Sequence, residues 1–153
     1  MKTAIDHINI VVSDMERSVA FYTEILGLER GFEALLEGDW IETVTGLPNL
    51  RARCVFMEAG GAAVRLELLQ YLTPEGVAPP PNGLPNTVGL RHLAFTVDDI
   101  DAMVARLRAA GVEPLSDPVT VPFAVGNMGR KRLCYFHDPD GTLLEVAAYG
   151  AME

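Results

Sequence analysis

At 153 residues the chain has the length of one domain and can bury a sizeable core. Hydrophobic residues make up 49% and charged residues 22%, the balance of a globular chain rather than a disordered one. The net charge of −9 argues against nucleic acid or an anionic membrane as main partner, and no long apolar run or leader-like segment is present, so a cytoplasmic protein is expected.

The first pattern along the chain is Asp6-His7-Ile8-Asn9-Ile10-Val11-Val12. Its alternation predicts a strand with Ile8, Ile10 and Val12 on one face and His7 on the other. Ser13 and Glu16 have the S-x-x-E spacing of a capping box. Met15, Val19, Tyr22, Ile25 and Leu26 then predict a helix that Gly27 ends. Leu28 to Leu36 reads as a second strand, and Gly38 to Gly46 as a short helix carrying Trp40 and Glu42. Arg51 to Met57 and Ala63 to Tyr71 are the third and fourth strands, with a hairpin signal at Gly60-Gly61 and Glu67 in the last of them. Residues 72–87 hold five of the ten prolines and read as a stiff surface connector.

The second half repeats this order. Arg91-His92-Leu93-Ala94-Phe95-Thr96-Val97 is a strand, Asp98 caps a helix with Ile100, Met103, Val104 and Leu107 on its apolar face, and Gly111 ends it. Val119 to Val125 and Arg132 to Phe136 are strands, Asp138-Pro139-Asp140-Gly141 is a turn, and Leu143 to Tyr149 is the final strand. The expected architecture is α+β: one domain spanning 1–153, built from two βαβββ modules at 1–71 and 88–153 joined by the linker 72–87.

The repeat carries the chemistry. From His7 to Gly27 the spacing is 20 residues and from His92 to Gly111 it is 19; Leu66-Glu67-Leu68 and Leu144-Glu145-Val146 close the two halves. A single strand His or Glu is usually structural or solvated, but recurrence of both types at equivalent places points to four ligands for one divalent ion: His7, Glu67, His92 and Glu145. Imidazole nitrogen and carboxylate oxygen suit Zn, Ni, Co, Mn or Fe(II). Two carboxylates also cancel the charge of a divalent ion, which makes a partly buried site tolerable. Two modules side by side would close a cleft around these residues. Cys54 and Cys134, each two residues before a Phe, read as small buried thiols at equivalent places. His137 has Met57 at its equivalent place and reads as surface structure.

These features together resemble the vicinal oxygen chelate superfamily, which includes glyoxalase I, methylmalonyl-CoA epimerase, extradiol dioxygenases and bleomycin-resistance proteins. The resemblance rests on Asp6-His7, the helix from Ser18 to Gly27 with Phe21-Tyr22, Leu66-Glu67-Leu68-Leu69, His92, and Phe136-His137-Asp138-Pro139-Asp140-Gly141 leading to Leu144-Glu145-Val146. It implies paired βαβββ modules, often in a homodimer, with the metal held by His7, Glu67, His92 and Glu145. A four-ligand set is similar to glyoxalase I and the epimerase. The resemblance therefore implies a metal-dependent lyase or isomerase that takes a proton from carbon next to a carbonyl and stabilises the enediolate on the metal, with Glu67 or Glu145 as base. An extradiol-type Fe(II) dioxygenase and a non-catalytic antibiotic-binding protein are the alternatives. The epimerase also uses a Glu before its third strand; here Asn49 stands there and cannot be a base, which leaves Glu42 nearby as a substitute. For a small-molecule substrate, Trp40, Arg53, Tyr71 and Arg132 are candidate pocket residues, with Phe123, Met128 and Tyr149 as further walls. Arg51, Arg53, Arg65, Arg130, Lys131 and Arg132 form a basic concentration that would suit an anionic substrate group, although cross-strand charge pairing accounts for most of them.

Overall fold

In each half of the chain, alternating apolar positions form a four-stranded mixed sheet that packs one face against a helix. The computed structural model describes residues 3–78 and 84–150. The chain divides into two compact units, Met1–Pro80 and Pro81–Glu153.

The first unit contains β1 (His7–Val11), α1 (Met15–Ala20) continued by a π-helical turn (Phe21–Ile25), β2 (Glu29–Glu37), α2 (Asp39–Thr45), β3 (Arg51–Glu58) and β4 (Arg65–Thr73). Its sheet order is β1-β4-β3-β2, with β1 parallel to β4 and the other pairs antiparallel. The second unit contains β5 (His92–Thr96), α3 (Ile100–Ala109), β6 (Val119–Ala124), a 3-10 turn (Gly126–Met128), β7 (Arg130–His137) and β8 (Leu143–Gly150). Its order, β5-β8-β7-β6, repeats the first. The α+β class and the two βαβββ modules are as the sequence led one to expect, with α2 an addition to the first.

One face of each sheet is core. Ile10, Val55, Met57, Leu66 and Leu68 are buried in the first unit together with Met15, Val19 and Tyr22 of the helix. Phe136, Leu144 and Val146 are buried in the second with Ile100, Val104 and Leu107. Each such side chain contributes about 1.5–3 kcal/mol by leaving water, so these positions hold the modules together. Since side chains alternate across a strand, His7, Asn9, Glu67 and Phe56 are left on the opposite face, as are His92, Ala94, Glu145 and Tyr135.

Several local expectations are corrected. The α1 cap is Asp14, whose side chain accepts from Arg17 N at 3.1 Å, and not Ser13; Ser13 Oγ instead accepts from the Arg17 guanidinium. Asp99, not Asp98, caps α3 by accepting from Ala102 N. In both cases the extended residue directly before the helix places its carboxylate against the free N–H three residues on, and strand length decides which acid that is. A regular helical period also could not show the π-helical turn, which widens the helix and buries the adjacent Phe21 and Tyr22 together. The linker prolines at 79–81 and Asn82-Gly83 lie outside the described residues.

The most consequential correction is one of register. Phe56 lies opposite Glu67, whereas the residue opposite Glu145 is Tyr135, and Phe136 faces Leu144 in the core. Phe56 therefore corresponds to Tyr135, Met57 to Phe136, and Glu58 to His137. Cys54 corresponds to Leu133, and Cys134 to Val55, so the two buried free thiols lie on opposite sheet faces and are not a repeated feature. Sequence spacing aligned the wrong aromatic because β3 and β7 each carry two large residues in succession near their ends.

Candidate functional site

In the first unit, β1 and β4 bring His7 Nε2 to 3.3 Å from Glu67 Oε2. Their parallel register sets Asn9 beside Glu67, and the Asn9 amide donates to Oε2 at 3.0 Å and to the Glu67 carbonyl at 3.3 Å. The other carboxylate oxygen, Oε1, accepts from the Cys54 thiol at 3.4 Å. Burial, with the neighbouring Glu67 charge, pushes that thiol up to about 12; it acts as a neutral donor. On the far side of the imidazole, Nδ1 lies 2.7 Å from Asp6 Oδ2. A carboxylate only accepts, so this bond places a proton on Nδ1 and turns Nε2 toward Glu67. Arg65 holds Asp6 at 3.1 and 3.2 Å and rests over the Phe56 ring at 4.6 Å. The His7 hydrogen bond, with Arg65 beside it, keeps the Asp6 carboxyl below its ordinary range.

The second unit repeats the pair and changes its surroundings. His92 Nε2 is 3.4 Å from Glu145 Oε2, and the ring lies against Tyr135, centroids 5.1 Å apart. The Glu145 side chain is only 3% exposed, against 15% for Glu67. Its Oε1 lies 2.5 Å from Lys131 Nζ, yet no contact to this buried oxygen meets hydrogen-bond geometry. The Lys131 contact is an ion pair, whose Coulomb attraction depends on distance and not on angle. That contact raises Lys131 above the ordinary lysine value. Burial, reinforced by the Glu145 charge, likewise raises Tyr135.

Both pairs have the chemistry of ligands. In each pair an imidazole nitrogen and a carboxylate oxygen face each other at 3.3–3.4 Å, a gap that a proton or a cation can bridge. Two ligands each about 2.1 Å from an ion are about 3.0 Å apart in octahedral geometry and about 3.4 Å apart in tetrahedral geometry, so each pair has the bite of one edge of a coordination shell. The Asp6–His7 hydrogen bond is the outer-shell carboxylate that metal-bound imidazoles commonly have. Among the described residues no group of three or more His, Cys, Asp or Glu side chains is gathered to hold an ion; each unit presents one His–Glu pair.

The other candidates separate into two classes. Tyr71 lies on the Glu67 face and packs against Ile41, Leu50 and Ala52. Trp40 is 57% exposed on α2, while its neighbour Ile41 supplies the buried contact. Phe123 and Met128 are exposed in the second unit. Arg53 and Arg132, in contrast, are on the core-facing side of their sheets. Arg53 pairs with Glu16 of α1 and Arg132 makes a double hydrogen bond to Asp101 of α3 at 2.7 and 2.9 Å. Each stands three positions before the residue opposite its Glu, so they are equivalent clamps between sheet and helix and do not line the face that carries the ligands. Asn49 has a positive φ of 53°, a backbone state that Asn tolerates, which gives it a structural reason for standing before β3. Asp6, Asn9, Cys54, Tyr135 and the pairing of Lys131 with Glu145 escaped sequence reading. Correct strand register was the signal that would have found the last three.

Comparison with known proteins agrees with the fold. Residues 4–146 match the model of the Glyoxalase/Bleomycin resistance protein/Dioxygenase superfamily. The chain is 32% identical to a 2-epi-5-epi-valiolone epimerase from Actinomyces sp, covering 94% of this chain and 78% of that protein. It is 29% identical to the mitochondrial methylmalonyl-CoA epimerase of Homo sapiens, covering 93% and 72%. Among solved structures, a glyoxalase family protein from Bacillus cereus superposes with a TM-score of 0.85 at 31% identity, covering 99% of this chain and 97% of that one.

Proposed function

Because the chain belongs to the Glyoxalase/Bleomycin resistance protein/Dioxygenase superfamily, we propose that it is a divalent-metal-dependent epimerase or lyase acting on carbon next to a carbonyl. The observation that carries this reading is the duplicated pair: His7 with Glu67 at 3.3 Å and His92 with Glu145 at 3.4 Å. In the proposal the two half-sites together hold one divalent ion. Relatives named as epimerases support the proton-transfer class, and small carbonyl compounds are the substrates it calls for. When bound, the ion supplies Lewis-acid polarisation of the substrate carbonyl.

The remaining steps belong to side chains of this chain. Asp6 orients His7 with its Nε2 toward Glu67, and Asn9 fixes the rotamer of Glu67. Glu67 or Glu145 takes the proton from carbon and returns it, a role within reach of a carboxylate whose second oxygen is free of the ion. Epimerisation follows when one of the two carboxylates removes the proton from one face of the carbon and the other supplies a proton to the opposite face. A two-His, one-carboxylate triad of the dioxygenase kind would leave one of the two Glu residues without a purpose. The protein is further proposed to work as a cytoplasmic homodimer, which light scattering on the purified protein checks. No described helix is long and apolar enough to cross a membrane.

The test is anaerobic incubation of metal-reconstituted protein in deuterated water with 2-oxoaldehyde hemithioacetals, small hydroxylated ketones and 2-methyl-branched acyl thioesters. Exchange of the carbon-bound proton is expected with one of these classes, and Glu145→Gln should lower it at least a hundredfold, roughly the scale of a general base. Oxygen consumption on catechols without any exchange would replace this reading with the dioxygenase. Metal content is the independent check: combined Glu67→Ala and Glu145→Ala should abolish ion retention.

A further inference from the structure

We propose that Lys131 is the built-in counter-cation of Glu145, which competes with the divalent ion for that carboxylate and so limits how tightly the ion is held. This deepens the metal reading and rests on it. Glu145 is 2% exposed, and its buried Oε1 lies against the Lys131 ammonium. A buried carboxylate without a compensating charge is costly. The group that supplies the charge is the Lys131 ammonium at 2.5 Å, with an 18% exposed side chain whose Nζ is 6.0 Å from the centre of the Tyr149 ring.

The first half-site has no lysine at the equivalent place. Lys131 faces Tyr149 across the strands just as Ala52 faces Tyr71. Ala52 is packed in an apolar cluster with Ile41 and Leu50 beneath α2. No helix is inserted between β6 and β7 except the turn Gly126–Met128, so the second unit has room for a long side chain where the first is closed. Glu67 is satisfied by the neutral Asn9 amide and Cys54 thiol, and Glu145 by a cation. A cation resting on one oxygen of a carboxylate repels a divalent ion approaching the other. The first half-site has no such competitor among its described contacts.

The experiment is titration of chelator-stripped protein with Co²⁺ and with Zn²⁺ against a competing chromophoric chelator, for wild type, Lys131→Met and Lys131→Arg. Lys131→Met keeps the aliphatic length and removes the charge. It should bind both ions about tenfold more tightly, the scale on which outer-shell groups alter metal affinity, while Lys131→Arg stays near wild type. Melting without metal should move the other way, with Lys131→Met less stable than wild type and the gap closing as ion is added. A lysine with a merely structural role predicts weaker binding in Lys131→Met; weaker or unchanged affinity in a variant with native circular dichroism overturns the proposal and leaves the metal reading standing. If Lys131→Met does not fold, Lys131→Gln is read by the same criterion. Failure of wild type and both variants to bind either ion overturns the metal reading, and the role of Lys131 with it.

Discussion

The two half-sites place the same pair of donors on the same pair of strands and surround them in opposite ways. In the first, the imidazole is anchored from behind by Asp6 and the carboxylate is held by neutral groups, Asn9 and Cys54. In the second, the place of Asp6 is taken by Arg91 and that of Asn9 by Ala94, while the carboxylate is more deeply buried and paired with Lys131. The first half-site is thus arranged to present a fixed imidazole, and the second to keep a buried charge neutralised by the ammonium. The two pairs occupy the same face because strand periodicity puts them there, and the halves differ in the neighbours that surround them.

The largest effect that could break this comparison is expected at Asp6. Asp6→Asn keeps the size of the side chain and removes the charge behind His7. It should weaken Co²⁺ binding by about 10–100-fold, measured by the same chelator competition. An effect under twofold would mean that the Asp6–His7 bond does not organise the half-site.

A second expectation concerns the thiols. Cys54 is pushed up to about 12 by burial and by Glu67, and Cys134 is raised mainly by burial. A folded value above the unfolded one contributes stability that is complete below the unfolded thiol value of about 8.5 and is lost as pH rises through the folded value. Denaturant unfolding between pH 8 and about pH 11 should therefore show the wild type losing more stability than Cys54→Ala. In the folded protein Cys54 should resist iodoacetamide at pH 8, since the thiolate is the nucleophile. Rapid alkylation there would show that the thiol is not a neutral donor to Glu67.

The smallest effect is expected where the halves agree. Arg53 and Arg132 each clamp a sheet to the first turn of its helix through exposed acids, and such pairs are screened by solvent. Arg53→Ala and Arg132→Ala should each lower Tm by about 2 °C or less and leave metal affinity unchanged. Asp101 is held below its ordinary value, first by the hydrogen bond from Arg132. Its contribution is present above the unfolded carboxyl value of about 3.9 and is lost as pH falls through the folded value. The gap between wild type and Arg132→Ala should accordingly vanish in strong acid. A loss of affinity in either variant would return these arginines to the list of pocket residues.

The chain by itself determined the strand-helix order, the doubled module and the recurrence of one His and one Glu in each half. These are local properties: alternation with period two assigns each strand residue to a face, glycines at fixed offsets end the helices, and a His or Glu on the free face of an otherwise apolar strand stands out. Tertiary structure decided what each donor touches. Whether Phe136 or Tyr135 opposes Glu145, whether Cys54 and Cys134 correspond, and whether Arg132 meets a ligand or Asp101 all depend on cross-strand register. A shift of one residue transfers every side chain to the other face. Lys131 and Glu145 sit on neighbouring strands joined through a turn, so nothing in their sequence spacing distinguishes a pair that meets from a pair that does not; the hydrogen-bonded ladder does, because it is what fixes the two strands against each other.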